Sequence, residues 1–208
     1  MRLPPTAWGA LCMCEARAAV DALVSVDAGG VTNAYGSALG RLDAVLVEWE
    51  LGLAGAAWET RLAASHCVHV CAAMLYRAGC VTSADLGGGE DGVTSVMGSV
   101  AAVLRRTVSF CVRQAESDAR FPQLRHAAVW CVARAIGAPA VLPEDWKCDS
   151  GSLGEHVART LRESRGGGGT AQSDGVGDAP DVGKCLREWA SVADGRLGGL
   201  ARGLSSLL

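Results

Sequence analysis

The chain runs to 208 residues, 50% of them apolar, 20% charged and 5% aromatic, with 19 Lys and Arg against 22 Asp and Glu. A net charge of −3 and a pI near 5.8 exclude a broadly basic nucleic-acid binder, which needs a cationic excess for phosphates. The length suffices for a buried core in one domain, and no apolar run reaches the ~18–20 residues of a membrane-spanning helix.

Residue usage is skewed. Ile136 and Asn33 are the sole Ile and Asn, and Arg outnumbers Lys by 17 to 2. Residues with A/T-rich codons are the scarce ones, so GC-rich coding accounts for the pattern without a selection for phosphate clamps. Nine cysteines (12, 14, 67, 71, 80, 111, 131, 148 and 185) form no CxxC pair and no regular disulfide framework. Most fall on apolar helical faces, where a thiol acts as a small hydrophobe. The apolar stretch after Met1–Trp8 is broken by Glu15, Arg17 and Asp21, so it is not read as a signal peptide. A reducing interior, cytoplasm or nucleus, is the expected setting.

Helical periodicity runs through nearly the whole chain, with no convincing period of two. A first helix follows Pro4-Pro5-Thr6, carries Trp8, Cys12, Ala16, Ala19, Leu23 and Val26, and ends at Gly29-Gly30. The second has the cleanest stripe: Tyr35, Leu39, Leu42, Leu46, Trp49 and Leu53, with Asn33 at the cap position. A third spans about Trp58 to Tyr76 and stops near Gly79, before the loop Gly87–Gly92. Next comes a stripe of Val93, Met97, Val100, Leu104, Val108, Cys111 and Ala115. A fifth helix restarts at Pro122, a residue suited to a first turn, carries Leu124, Ala128, Cys131 and Ala135, and stops at Gly137 and Pro139. Ser152-Leu153-Gly154-Glu155 matches a capping box and opens a sixth, with Arg162 and Arg165 in its last turn.

Residues 166–183 change character. Four glycines followed by Thr170-Ala171-Gln172-Ser173-Asp174-Gly175 bury too little to offset ~1–2 kcal/mol of backbone entropy per residue, which reads as a flexible linker. Beyond it, residues 184–208 carry the stripe Leu186, Trp189, Ala193, Leu197, Leu200, Leu204 and Leu207. Glycines at 195, 198, 199 and 203 interrupt this amphipathic, coiled-coil-like segment at ~1 kcal/mol each, so it is expected to be helical only when packed. The expected architecture is all-α: a compact bundle of five to six helices, or a short HEAT-like array, over residues 1–165, then the linker and the C-terminal helix.

Chemistry-bearing clusters are sparse. His66, Cys67, His69 and Cys71 are the densest set of potential ligands. At ~100° per residue, Cys67 and Cys71 share one face while the histidines share another, so one helix cannot bring all four to an ion. Neighbouring helices could add Cys80, Cys111, Cys131 or His126 to either pair. Pairing of His126 with Cys131, or of His69 with a nearby cysteine, lacks an orienting carboxylate beside the histidine. The loop Gly87–Gly92 has no phosphate-binding pattern, and its acids repel phosphate. Arg105, Arg106 and Arg113 form a basic ridge, which Glu116 and Asp118 turn into a mixed-charge face.

No cofactor, catalytic group or metal ligand is therefore assigned. The expected function is a non-enzymatic interaction or adaptor subunit, with protein partners. Its partner-binding residues are Trp146, Leu186, Trp189, Leu197, Leu200 and Leu204, since incompletely enclosed Trp is enriched at interfaces. The tethered segment docks either into its own bundle or into a partner's groove. A metal- or cofactor-dependent protein using the His66/Cys67/His69/Cys71 region is the alternative.

Overall fold

A computed structural model describes residues 14, 31–53, 55–85, 90–138, 152–163, 180–193 and 195–208, which form seven α-helices and no strand. They are α1 (Val31–Gly52), α2 (Trp58–Asp85), α3 (Glu90–Glu116), α4 (Pro122–Ala135), α5 (Ser152–Glu163), α6 (Val182–Val192) and α7 (Gly195–Leu207). The expected first helix and the linker fall outside the described residues, apart from Cys14 and residues 180–183.

On α1 the stripe of Leu39, Leu42, Leu46, Trp49 and Leu53 is buried, while Gly40, Arg41, Ala44 and Glu48 face water. Burying each such Leu contributes on the order of 1.5–3 kcal/mol. Asn33 lies inside the helix rather than at its cap. Two ion pairs fasten α1 to α3, Asp43 to Arg106 and Glu50 to Arg113. Both pairs advance two turns along each helix in the same sense, so α1 and α3 run alongside in parallel. The basic ridge is thus met largely from another helix.

The third periodic segment does not stop at Gly79. Helix α2 continues to Asp85, and Gly79 is buried because a Cβ there would stand 2.7 Å from Leu153 Cδ2 and 3.3 Å from Val100 Cγ1. Glycine serves here as a point of close approach, letting α3 and α5 pack tightly on α2. Near its start, Arg61 is almost fully enclosed, donates to Ser117 Oγ at 2.8 Å and lies 4.0 Å from Asp118. Trp58 stacks on Phe121 with centroids 4.7 Å apart. These contacts tie the start of α2 to the turn between α3 and α4.

Helix α3 is the hub, packed by α1, α2, α4, α5 and α6. Its stripe is joined by buried residues on every side from Thr107 to Val112, so the helix is enclosed all round in that stretch. Two buried hydroxyls bond back to their own helices: Thr107 Oγ1 donates to the Leu104 carbonyl at 2.7 Å, and Ser65 Oγ of α2 to that of Arg61 at 2.9 Å.

Helix α4 begins with Pro122 at its first position and ends in a Schellman turn. Gly137 has φ +67°, its N–H reaches Arg134 O at 3.2 Å, and that of Ala138 reaches Ala133 O at 2.8 Å.

The C-terminal stripe forms two helices. Asp181 caps α6 by accepting from the Lys184 N–H at 2.9 Å. Ala193 turns to an extended conformation and Gly195 takes φ +68°, which breaks the helix and starts α7. At Gly198 a Cβ would overlap the Ala193 carbonyl, so the reversal needs glycine there too. The two helices pack on each other, α7 on α4, and α6 on α3 and α5. Leu186, Trp189, Ala201 and Leu204 thereby join the one core cluster.

Candidate interaction surface

Of the residues expected to bind a partner, Trp146 lies outside the described residues. Leu186, Trp189 and Leu204 are 0%, 3% and 2% exposed, held inside this chain's own core. Leu197 and Leu200 are half-buried and pack against it. The C-terminal segment therefore docks in cis. Trp189 and Leu197 nonetheless reach a surface groove of about 380 Å³, at the lower end of the ~300–1,000 Å³ of ligand clefts. Its apolar lining is Pro122, Trp189, Val192, Ala193 and Leu197, where α4 begins and α6 bends into α7. Val192 is 69% exposed, a large aliphatic side chain presented to water. Three cationic or titratable side chains complete it: Arg125, His126 and Arg196.

The groove opens onto the outer face of α4. Gln123, His126 and Trp130 follow at helical spacing and are exposed, with half-buried Arg134 next in line. His126 to Arg134 covers ~12 Å at 1.5 Å per residue. The Arg134 guanidinium lies 5.5 Å from the Trp130 ring centroid, a cation–π arrangement that orients a 38% exposed indole. Arg134 Nη1 also lies 2.5 Å from His69 Nδ1 on α2. A guanidinium only donates, so Nδ1 accepts, and Nε2 of the neutral ring carries the hydrogen. That Nε2 sits 3.0 Å from His66 Nδ1, giving a chain of donors from Arg134 through His69 to His66. Burial, then Arg134 and His66, push the His69 pKa down to about 4, in keeping with a neutral ring. Val70, one turn beyond His66, is 37% exposed.

This geometry bears directly on the ligand cluster. Both ring nitrogens of His69 are engaged, and a cation sits beside one of them. Cys71 is fully buried on the core side, and Cys67 is half-buried. Among the described residues no three His, Cys, Asp or Glu side chains gather as a metal would require. No described helix is long and apolar enough to cross a membrane.

Trp130, Arg134 and His126 were not singled out as surface residues by periodicity. Their signal was present: they lie off the Leu124–Ala128–Cys131–Ala135 stripe, so an indole there belongs to the opposite face. Comparison with family models, curated proteins and solved structures returns no match.

Proposed function

We propose that this chain is a non-enzymatic interaction subunit that binds a protein partner through the outer face of α4 and the adjoining α6–α7 bend. The observation that carries the reading is the exposed Trp130 indole, braced by Arg134 and continuous through His126 with an apolar groove. Trp and Arg are the residue types most enriched among energetic anchors of protein interfaces. At 38% exposure the indole still presents more than a third of its surface to water, apolar area that a partner can cover. Cys71, Cys80, Cys111, Cys131 and Cys185 are packed in the core as small hydrophobes, which supports a reducing intracellular setting.

The test is quantitative co-purification of the tagged full chain and of Trp130→Ser from cells that express it. The expected result is one or a few proteins retained in near-stoichiometric amount by the wild type and lost from the variant, which circular dichroism shows to remain helical and cooperatively folded at the assay temperature despite some loss of stability. Equal recovery of every protein by both would overturn the reading.

A further inference from the structure

We infer that the groove between α4 and the α6–α7 bend receives an acidic amphipathic helix of the partner protein, its apolar side chains on Trp189, Val192 and Leu197 and its carboxylates against Arg125, His126 and Arg196. This rests on the interaction reading above and specifies the partner's chemistry.

Charge carries the argument. Among the described residues no carboxylate lines the groove. The acids nearest in sequence are drawn elsewhere: Glu188 lies 3.8 Å from Lys184, and Asp118 is bonded by Arg120 and approached by Arg61. Asp194, in the bend, lies outside the described residues. Arg125 spends Nη2 on the Ala119 carbonyl at 2.8 Å, while its buried Nε has no acceptor among the described residues. A carboxylate docked in the groove would meet this guanidinium through Nη1, a charge-assisted hydrogen bond. The start of α4 adds positive partial charge, since its cap residue Phe121 offers no side-chain acceptor and its first turn holds no acid.

Shape and net charge select the class of ligand. Five of the eight lining residues are apolar, so a purely ionic ligand would leave most of the groove unsatisfied. A helix presenting apolar residues at i and i+3 or i+4 beside acids satisfies both parts. Nucleic acid and anionic membrane need a wider cationic field than a chain of net charge −3 provides.

The experiment is a display selection of random 16-residue peptides on the full chain, followed by fluorescence-anisotropy titration of the winners. The expected winners are acidic, carry large apolar residues at helical spacing, bind more weakly as salt rises, and lose about tenfold or more in affinity to Arg196→Glu and Val192→Asp. Winners that are neutral or basic overturn the inference. So do winners indifferent to both groove variants but lost in Trp130→Ser, an outcome that leaves the interaction reading standing. An empty selection overturns it as well, and the Trp130→Ser co-purification then decides the broader reading separately. A doubled native mass abolished by Arg196→Glu, or phosphatidylserine-vesicle binding abolished by it, assigns the groove to a second copy or a lipid surface instead.

Discussion

Gly137 lies directly beneath the phenol ring of Tyr76: a Cβ on this residue would fall inside 3.0 Å of both the ring and its hydroxyl. The backbone there has φ +67°, so one residue ends α4 and admits the α2 aromatic at the same point. Gly137→Ala should cost ~1 kcal/mol for the left-handed backbone and a further ~1–3 kcal/mol for displacing the ring. Gly203→Ala on α7 is the control, because nothing lies within 4 Å of its added methyl. It should gain up to ~1 kcal/mol from helix propensity. Thermal unfolding by circular dichroism checks both, and a Gly137→Ala midpoint equal to wild type would refute the account.

The Glu50–Arg113 pair should contribute more than an ordinary surface ion pair. Its side chains are 13% and 24% exposed, and Arg113 engages both carboxylate oxygens. Lys184–Glu188, at 66% and 55% exposure, is the weak comparison. A double-mutant cycle in urea should give a coupling above ~1 kcal/mol for Glu50–Arg113 and ~0.3–0.5 kcal/mol for Lys184–Glu188. Equal couplings would mean that solvent screens both pairs alike.

Much of the fold was legible because burial on one side of a rod leaves a stripe, as Leu39, Leu42, Leu46 and Trp49 show. Three features were not. Gly79 resembles a helix stop in isolation, and only the neighbours Leu153 and Val100 make it a contact point. The C-terminal stripe keeps a constant period through a reversal, since a break at Ala193 and Gly195 does not alter spacing. On α3, the polar Thr107, Ser109 and Gln114 are buried, because helices pack around α3 on several sides and no stripe marks them. At the candidate surface, the sequence offers Trp146, Leu186, Trp189, Leu197, Leu200 and Leu204 as partner contacts, but the core encloses Leu186 and Leu204, and Trp189 and Leu197 line a groove. Their role in shaping a groove depends on Arg125 and Arg196, which only the docking of α7 on α4 brings near.

His69 should make stability depend on pH on the acid side. Its folded pKa of about 4 lies below the ordinary 6.5, so the unfolded chain binds the proton more readily. The neutral ring's contribution is full above pH 6.5 and is lost progressively as pH falls toward 4. The Asp118 carboxyl, held down by its bond to Arg120, loses its contribution only below its ordinary 3.8, a separate window. Urea midpoints of the wild type should therefore drop between pH 7 and 5 more than those of His69→Gln. Identical drops would show that the ring titrates freely, and an imidazole proton resonance shifting near pH 6.5 would show the same.

Cys185 provides the test on the alkaline side. Burial first, then the Glu116, Glu188 and Asp181 carboxylates, push its thiol up to about 12 from an ordinary 9.0. The folded state therefore holds this proton when the unfolded chain releases it. The thiol's contribution is intact below pH 9 and is lost as pH rises through 9 toward 12. Because the thiolate is the nucleophile, native Cys185 should resist iodoacetamide at pH 8 while exposed Cys14 is alkylated. Cys185 sits on α6 in the core that α3 and α5 share, so its labelling reports the opening of that helix. Peptide mapping after timed alkylation should show Cys185 modified only at the rate at which α6 opens, accelerated by low urea. Labelling as fast as Cys14 would mean that α6 is not docked, and the groove beside Trp189 would lose one of its walls.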